Sequence, residues 1–258
     1  MSQHGQALGA STVLHISGLD PAARWRLITT WLPRLCAPES AARRWYFVDV
    51  PLSRNGVLTT GLEVVLLHRR DDHSVRADIE AWLADCRAGG LHLEPTWPAG
   101  SLVVDERLFL GGRVPAVFPT ALALGSVRAA RIMGRLDAVH ASEVEVVAEI
   151  GALFTAFVPR RAERGRAVEL YVTWLERVAA GELEPHAVSR CRSTIQVAVP
   201  SVPEYVLLRR QLRRQTGDAV IRDSVVARLA HTQAVRLRGP EFPGGLEREA
   251  TLARALLC

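Results

Sequence analysis

The stretch DAVIRDSVVARLAHTQAVRLRG, residues 218–239, contains the helix around which the rest of the chain is interpreted. Its apolar residues Ile221, Val225 and Leu229 recur at helical spacing, which predicts a helix packed on one apolar side. Gly239, followed by proline, is the expected stop signal. The C-terminal part of the chain is therefore expected to be helical and to contribute to a core.

A second stripe of the same helix is polar. Ser224, Arg228 and His231 stand at positions i, i+4 and i+7, so a hydroxyl, a fixed cation and an imidazole share one face. An imidazole titrates near neutral pH, which suits proton transfer. This stripe is a candidate catalytic site, although a lone helical histidine is often a structural residue.

The composition is that of an ordinary globular protein. The chain has 258 residues, of which 48% are hydrophobic and 23% are charged. No apolar run approaches the roughly 18 residues of a membrane span, and the polar N-terminus lacks a signal-peptide pattern. The four cysteines are far apart, in no metal or redox spacing, which indicates reduced thiols in a cytoplasmic protein (Cys36, Cys86, Cys191, Cys258).

The charge balance is basic. The chain has 32 basic residues, all arginines, against 27 acidic residues, and its pI is about 9.5. Arginine usage of this kind is typical of a GC-rich genome, but it also fits an acidic partner, either a peptide or a nucleic acid. A nucleic-acid binder is disfavoured because no recognised motif is present and aromatic residues are only 6%. Two arginine clusters, 160–166 and 209–214, are either solvated faces or peptide-binding patches.

The order of predicted elements indicates an α+β fold, with an antiparallel sheet and helices in the N-terminal half and helices alone afterwards. We interpret residues 1–258 as a single domain, with an α+β part over 10–112 and a helical part over 113–258. Strands are predicted at 12–16, 44–50, 61–69, 91–94 and 101–105, and the second and third form a hairpin with a longish loop around Asn55-Gly56. Helices are predicted at 20–36, 71–87, 116–136, 142–157, 162–180, 185–199, 203–215, 218–238 and 246–257.

The string His231-Thr-Gln-Ala-Val-Arg236-Leu-Arg-Gly239, followed by a charged final helix, resembles the end of the lantibiotic dehydratase C-terminal domain family. Those domains, also found in thiopeptide-type bacteriocin biosynthesis, end with His, three variable residues, Asn-Arg, two apolar residues and Gly. Here Val235 replaces the Asn. The resemblance implies an α+β enzyme of peptide modification.

Further segments extend the resemblance over roughly residues 10–257. The aromatic strand Trp45-Tyr-Phe-Val and the segment 61–68 match the family's first two strands. Glu106 with the pair Gly111-Gly112 matches an acidic residue before two glycines. The segment 122–126 matches Phe-x-x-Asp-Ser, with Gly125 in place of the Asp.

Departures from the family pattern favour one branch. Glutamate-elimination members carry arginines in the second strand and before the glycine pair, where they handle a leaving carboxylate. Here the strand reads Leu62-Glu-Val-Val-Leu-Leu67, and Phe109 stands before the glycines. The chain therefore looks most like the stand-alone pyridine synthases, which join two dehydroalanines of a thiopeptide precursor in a formal [4+2] cycloaddition and then expel water and the leader peptide.

That reaction needs an amide in its imidic tautomer, so protons must be moved. We predict His231 as general acid/base, Ser224 and Ser126 as hydrogen-bond donors to the reacting carbonyl, and Tyr46 as a further donor. Glu106 is predicted to orient His231 or an arginine. No metal or organic cofactor is required, because holding both reacting alkenes together supplies much of the rate enhancement. Each of these residues also has a purely structural interpretation.

The expected partner is a dehydrated precursor peptide with an acidic leader, with other modification enzymes of the same pathway as further candidates and no nucleic acid or membrane. Candidate leader-binding arginines flank the hairpin or lie on the C-terminal helix (Arg43, Arg44, Arg69, Arg70, Arg228, Arg236). The alternatives left open are glutamate elimination and a non-catalytic protein that binds the leader for another enzyme.

Overall fold

The computed structural model describes residues 11–35, 44–54, 57–68, 74–98, 115–136, 138–178, 199–216, 218–239 and 245–257. The fold is α+β, as predicted, with a four-stranded antiparallel sheet near the N-terminus and helices after it. Two compact units are present. The first contains Met1–Asp105 and Leu122–Val139, and the second contains Glu106–Ala121 and His140–Cys258. The predicted strand at 101–105 and, apart from residue 199, the predicted helix at 185–199 lie outside the described residues.

The first unit is built on the sheet. Its strands are β1 (Ser11–Ser17), β2 (Arg44–Arg54), β3 (Val57–Leu67) and β4 (Glu94–Thr96), in the order β2-β3-β1-β4. Pairing of β2 with β3 continues until Arg54 lies opposite Val57, so only residues 55 and 56 connect them. The prediction of a longish loop is therefore wrong. Both strands extend further toward the turn than their apolar residues indicate.

The fourth strand also differs from its prediction. It was expected at 91–94, but pairing with β1 begins at Glu94, opposite Ser17. The preceding helix closes with Gly90 at a φ of +79°, and the Leu91 N–H donates back to the Cys86 carbonyl at 3.0 Å. This helix-terminating bond keeps Leu91 out of the sheet.

Helices cover the sheet of the first unit. Helix α1 (Pro21–Arg26) continues through a π-helical turn (Leu27–Trp31) into α2 (Leu32–Leu35), and α3 spans Val75–Ala88. Asp20 caps α1 by accepting the Ala23 N–H at 2.6 Å. Arg24 binds Asp49 of β2 through two buried hydrogen bonds of 2.7 and 2.6 Å, which fixes α1 on the sheet.

Helix α4 (Phe118–Leu136) belongs to the first unit from Leu122 onward. Its Ser126 is fully buried. The hydroxyl donates to the Leu122 carbonyl at 3.0 Å and accepts the Phe47 N–H of β2 at 3.1 Å. Ser126 therefore links α4 to the sheet.

The second unit is helical. It contains α5 (Glu143–Phe157), α6 (Arg161–Val178), α7 (Pro203–Gln215), α8 (Ala219–Arg238) and α9 (Gly245–Arg254), with a 3-10 turn at Ala255–Leu257. Helix α5 packs against α8 and α7, and α6 packs against α9. Ser142 caps α5 in a capping box with Glu145. The predicted bounds of α7 are confirmed, and those of α8 are confirmed to within one residue.

The apolar stripe of α8 faces the core of this unit, as predicted. Val225, Leu229 and Ala230 are buried. The helix ends at Gly239, whose φ is +75° and whose N–H donates to the Val235 carbonyl at 2.8 Å. Such a left-handed terminal residue favours glycine, so the predicted stop is confirmed.

Among the described helices, none is long and apolar enough to cross a membrane. Of the four cysteines, the structure describes Cys86, which is buried with a free thiol. Burial, and then the charge of Asp85, raises the pKa of Cys86 to about 12, so this thiol stays protonated and unreactive near neutral pH.

Candidate functional site

His231 of α8 binds a carboxylate from another helix. Its Nδ1 lies 3.0 Å from Oε1 and 3.1 Å from Oε2 of Glu249 on α9. The Glu249 side chain is only 4% exposed, whereas 29% of the His231 side chain remains exposed. A buried carboxylate thus holds one ring nitrogen of a histidine that is still open to its surroundings.

The sequence of α9 explains why Glu249 is buried. Within the helix, Glu249 lies among the small and apolar residues Ala250, Leu252 and Ala253, all of which are buried. Because α9 packs against α6, the carboxylate faces that helix. Isolated burial of a carboxylate is costly, so hydrogen-bond donors are required around it.

One such donor is Tyr171 of α6, whose hydroxyl donates to Oε1 of Glu249. The phenol is completely buried. Burial, and then the negative charge of Glu249, raises the pKa of Tyr171 well above its ordinary value. The hydroxyl therefore remains a donor over the whole working pH range, and Oε1 of Glu249 is shared between Tyr171 and His231.

Trp174 lies one turn further along α6 and contacts the imidazole. The two rings meet edge to face, with centroids 5.2 Å apart and an interplanar angle of 74°. Trp174 also stacks against Tyr171, at 6.3 Å and 16°. Aromatic contacts of this kind favour one ring orientation, so Trp174 and Glu249 together restrict how the His231 ring turns.

A buried cation completes the surroundings of the carboxylate. Burial lowers the pKa of Arg238 to about 10, and the nearby charges of Glu249 and Glu143 raise it in part. Glu143 is itself held by Arg248 through bonds of 2.6 and 2.7 Å, and these bonds lower the pKa of Glu143. Arg238 therefore stays charged near neutral pH and places a fixed cation near the Glu249 carboxylate.

This arrangement determines what the imidazole can do. An ionised Glu249 accepts a hydrogen from Nδ1, which leaves the lone pair of His231 on Nε2. If Nε2 takes a proton, the carboxylate stabilises the imidazolium that forms. Such a pair can accept and return a proton at Nε2, which is the chemistry of carboxylate–histidine pairs in acid/base catalysis.

The other site residues predicted on α8 have environments that differ from that of His231. The Ser224 hydroxyl donates to the carbonyl of Ile221, at 3.0 Å, on its own helix. Seven residues separate it from His231, a rise of about 10 Å along the axis. Arg228 is partly buried, and its carbonyl accepts the Thr232 hydroxyl at 2.8 Å. Arg236 is 1% exposed, so its guanidinium lies inside the protein.

Among the site residues predicted in the first unit, Ser126 contacts the backbone of the residue that follows Tyr46. Tyr46 is buried on β2, adjacent to Phe47, whose N–H binds the Ser126 hydroxyl. Arg44 is exposed at the start of β2, opposite Leu67. The remaining predicted residues lie outside the described part of the chain (Glu106, Arg43, Arg69, Arg70).

Sequence reasoning missed Glu249, Tyr171 and Trp174. One signal for Glu249 was present, because Leu246, Glu249, Ala250 and Ala253 recur at helical spacing and place a carboxylate on the apolar side of the helix. Tyr171 lies 78 residues from Glu249 along the chain, and no local pattern joins residues so distant. Within the described ranges, no cluster of three His, Cys, Asp or Glu side chains is suited to a metal ion.

Comparison with known proteins identifies the fold. No protein-family model matches the chain, and no curated protein matches it either. The crystal structure of the tRNA-dependent lantibiotic dehydratase MibB from Microbispora sp. 107891 is similar over 100% of this chain, with a TM-score of 0.63 and 19% sequence identity. The chain spans 29% of the length of that protein. The chain therefore has the fold of one part of a lantibiotic dehydratase.

Proposed function

We propose that the chain is an enzyme of peptide-antibiotic biosynthesis, in the lantibiotic dehydratase superfamily, that acts on a dehydrated precursor peptide. The observation that carries this proposal is the partly exposed imidazole of His231 held by the buried carboxylate of Glu249. Similarity to a lantibiotic dehydratase over the whole chain supports a peptide substrate. The basic net charge of +5 suits an acidic leader.

The reaction that we propose is pyridine formation. The amide that links one dehydroalanine to the residue before it shifts to its imidic tautomer, which turns that dehydroalanine into a 2-azadiene. Addition to the second dehydroalanine forms two carbon–carbon bonds and closes a six-membered ring. Loss of water from the former imidic carbon and loss of the leader as a carboxamide then give the aromatic pyridine.

Each stage requires a proton to be moved, and His231 is the proposed group. Nε2 accepts the amide proton and returns a proton to the oxygen, while Glu249 stabilises the imidazolium in between. Glu249, Tyr171 and Trp174 act as positioning residues, because they fix the tautomer and orientation of the ring. Ser224, Ser126, Tyr46 and Glu106 remain predicted contributors, and no metal or organic cofactor is invoked.

Glutamate elimination is the second candidate, and β3 argues against it. Where elimination members of the resembled family carry arginines, this strand carries Glu63, which is fully buried. Its Oε2 lies 3.1 Å from Nε2 of His15 on β1. A buried carboxylate paired with a histidine supplies no cation for a leaving glutamate.

The test incubates the protein with a dehydrated precursor and follows product mass. Pyridine formation releases a leader carboxamide and a cyclised core. Elimination instead removes a glutamate from a glutamylated precursor, whereas a non-catalytic leader-binding protein changes no mass. Absence of any mass change with every precursor that binds would refute the enzyme proposal.

Two variants test the residues. His231→Ala is expected to slow product formation about 10²–10⁴-fold, the usual contribution of a general acid/base. Glu249→Gln keeps the size of the side chain but removes its charge, so a lower kcat and an altered pH profile are expected with little change in KM. His92→Ala, at an exposed histidine in the first unit, is the matched control and should retain wild-type rates.

Wild-type turnover by His231→Ala would show that the histidine is structural, even if the product is a pyridine. Circular dichroism of each variant separates loss of chemistry from loss of folding. A Glu249→Gln enzyme with an unchanged pH profile would remove the positioning role assigned to that carboxylate.

A further inference from the structure

Helix α7 carries a dense basic cluster in its last two turns. Four of its last seven residues are arginines, and the opposite side of the helix is fixed in the core by Tyr205, Leu208 and Leu212, all buried. Three of the four are exposed, and the fourth is partly buried (Arg210, Arg213, Arg214; Arg209). We call these four arginines the α7 basic face.

The α7 basic face has no counter-charge among the described residues. Elsewhere in the second unit, arginines pair with carboxylates, as Arg248 does with Glu143 and Arg222 with Asp223. No such pair involves the α7 arginines within the described ranges, and Nε of Arg209 is buried there without a hydrogen-bond partner. Within the described ranges, the cluster therefore lacks the ion pairs that Arg248 and Arg222 make.

The four arginines of the α7 basic face repel one another because no carboxylate among the described residues pairs with them. Burial lowers the pKa of Arg209, and the neighbouring charges of Arg213 and Arg210 lower it further. Like charges spaced three or four residues apart also destabilise a helix. An anionic partner would relieve this repulsion, so the surface is arranged to gain free energy on binding one.

The same face includes an apolar residue. Leu207 is 57% exposed, and it precedes Arg210 and Arg214 by three and seven residues, so the three side chains lie along one stripe. The aromatic residue of α7, Tyr205, is buried and is not available to stack on a nucleic-acid base. Exposed leucine beside arginines therefore matches a partner that carries both carboxylates and apolar side chains.

We propose that the α7 basic face is a docking surface for an acidic peptide segment that bears an apolar side chain. Its carboxylates would pair with the arginines, and its apolar side chain would cover Leu207. Recognition here goes beyond the proposed reaction and does not depend on it, since binding requires neither His231 nor Glu249. It also differs from the leader-binding arginines predicted around the hairpin.

The test measures the fluorescence anisotropy of a labelled synthetic peptide rich in Glu and Asp with two leucines. Its controls are the same peptide with Gln and Asn in place of the acids, and with Ser in place of the leucines. The Arg210→Glu/Arg214→Glu variant is expected to bind the acidic peptide at least about tenfold more weakly, because charge complementarity is reversed. Raising the salt concentration from about 50 to 300 mM should weaken wild-type binding.

The matched control is Arg131→Glu/Arg135→Glu on α4. These arginines are also exposed and are also four residues apart on a helix, so both variants lower the formal net charge of +5 by the same amount. The proposal requires the control to bind within about twofold of wild type. Equal weakening by both variants would show attraction by net charge alone and would overturn it.

Two other outcomes overturn the proposal. The first is that a single-stranded RNA of equal charge binds more tightly than the peptide, and that this RNA binding is lost in Arg210→Glu/Arg214→Glu. This result would assign the face to nucleic acid. Binding that ignores the acid-to-amide change in the peptide would exclude an electrostatic dock. Because the readout is binding, failure here leaves the enzymatic proposal intact, and failure of pyridine formation leaves this one intact.

Discussion

Two serines that look alike in the sequence have different environments in the structure. Ser126 is buried, and its hydroxyl bonds the backbone of a separate element, at Phe47. Ser224 is only partly buried, and its hydroxyl bonds a carbonyl of its own helix, at Ile221. The free energy of unfolding therefore depends on the two hydroxyls to different extents.

Ser126→Ala is expected to lower the free energy of unfolding by about 1–3 kcal/mol, because the buried Phe47 N–H loses its acceptor. Ser224→Ala is expected to leave it unchanged or to raise it slightly, since alanine favours a helix interior and no buried donor is orphaned. Urea unfolding followed by circular dichroism measures both. Equal effects of the two substitutions would contradict this assignment of structural roles.

At the residue scale, the sequence indicates His231 as a candidate site residue but does not indicate the side chains that contact it. The histidine was found because its spacing from Ser224 and Arg228 follows the helical repeat. The period of α9 indicates that Glu249 is buried but not what it contacts. Tyr171 has no local signal, because contacts between helices depend on how α6, α8 and α9 pack. Arg236 shows the reverse case, since an arginine predicted to bind a leader lies inside the protein.

At the element scale, the start of α5 depends on an ion pair with α9. Glu143 receives two hydrogen bonds from Arg248, and these lower its pKa below the ordinary value of 4.5. The unfolded chain therefore binds more protons than the folded one between the two pKa values. The stabilisation is fully present above about pH 4.5 and is lost as the pH falls through the folded-state pKa.

Arg248→Gln is accordingly expected to reduce stability near neutral pH and to approach wild-type stability in acid. The side chains of Arg248 and Glu143 are 42% and 30% exposed, so solvent screening limits the effect to about 1 kcal/mol or less. Urea unfolding at several pH values below and above the ordinary carboxyl pKa measures the difference. Arg160→Gln, at a highly exposed arginine paired with Glu163, is the control, and a pH-independent loss in Arg248→Gln would contradict the linkage.

Substitution of alanine for two glycines near or within helices is expected to change the free energy of unfolding in opposite directions. A Cβ on Gly89, which follows α3, would lie 2.3 Å from Cζ2 of Trp31. The Trp31 ring contacts the Arg34 guanidinium, which lies 4.7 Å from the ring centroid, so this Cβ would require the ring or the backbone to shift. A Cβ on Gly165 of α6 would meet no atom within 4 Å.

Gly89→Ala is therefore expected to lower the free energy of unfolding by about 1–3 kcal/mol through overpacking. Gly165→Ala should raise it by up to about 1 kcal/mol, because alanine has the higher helix propensity. Thermal and urea unfolding of the two variants measure this difference. Stabilisation by both substitutions would mean that Trp31 is displaced at little cost.

Most elements could be predicted because their signals are local. The capping box of α5, the proline-initiated α7 and the glycine stop of α8 each depend on residues adjacent in sequence. The β2–β3 turn was misjudged because polar Ser53 and Thr59 end the apolar alternation before hydrogen bonding ends. The π-helical turn at Leu27–Trp31 has no sequence signal that we identify.

At the scale of the whole molecule, the α+β class followed from the order of elements, whereas the two compact units did not. The sequence predicts one domain with an α+β part over 10–112 and a helical part over 113–258, and in the structure Leu122–Val139 groups with the N-terminal sheet. Helix α4 begins in one unit at Phe118 and continues in the other from Leu122. Sequence does not reveal this, because the boundary falls inside a continuous helix.

The interpretation of residues 1–258 as a single domain makes a testable prediction about unfolding. Helix formation is cooperative, so a helix that contributes residues to both units should couple their unfolding. Trp174 lies in the second unit, and the other five tryptophans lie in the first (Trp25, Trp31, Trp45, Trp82, Trp97). In Trp174→Phe, tryptophan fluorescence therefore reports the first unit, whereas circular dichroism reports the helices of both. A single domain requires the two urea transitions of this variant to coincide. If fluorescence and circular dichroism gave separate midpoints, the chain would consist of two domains that unfold independently, and the single-domain interpretation would be wrong.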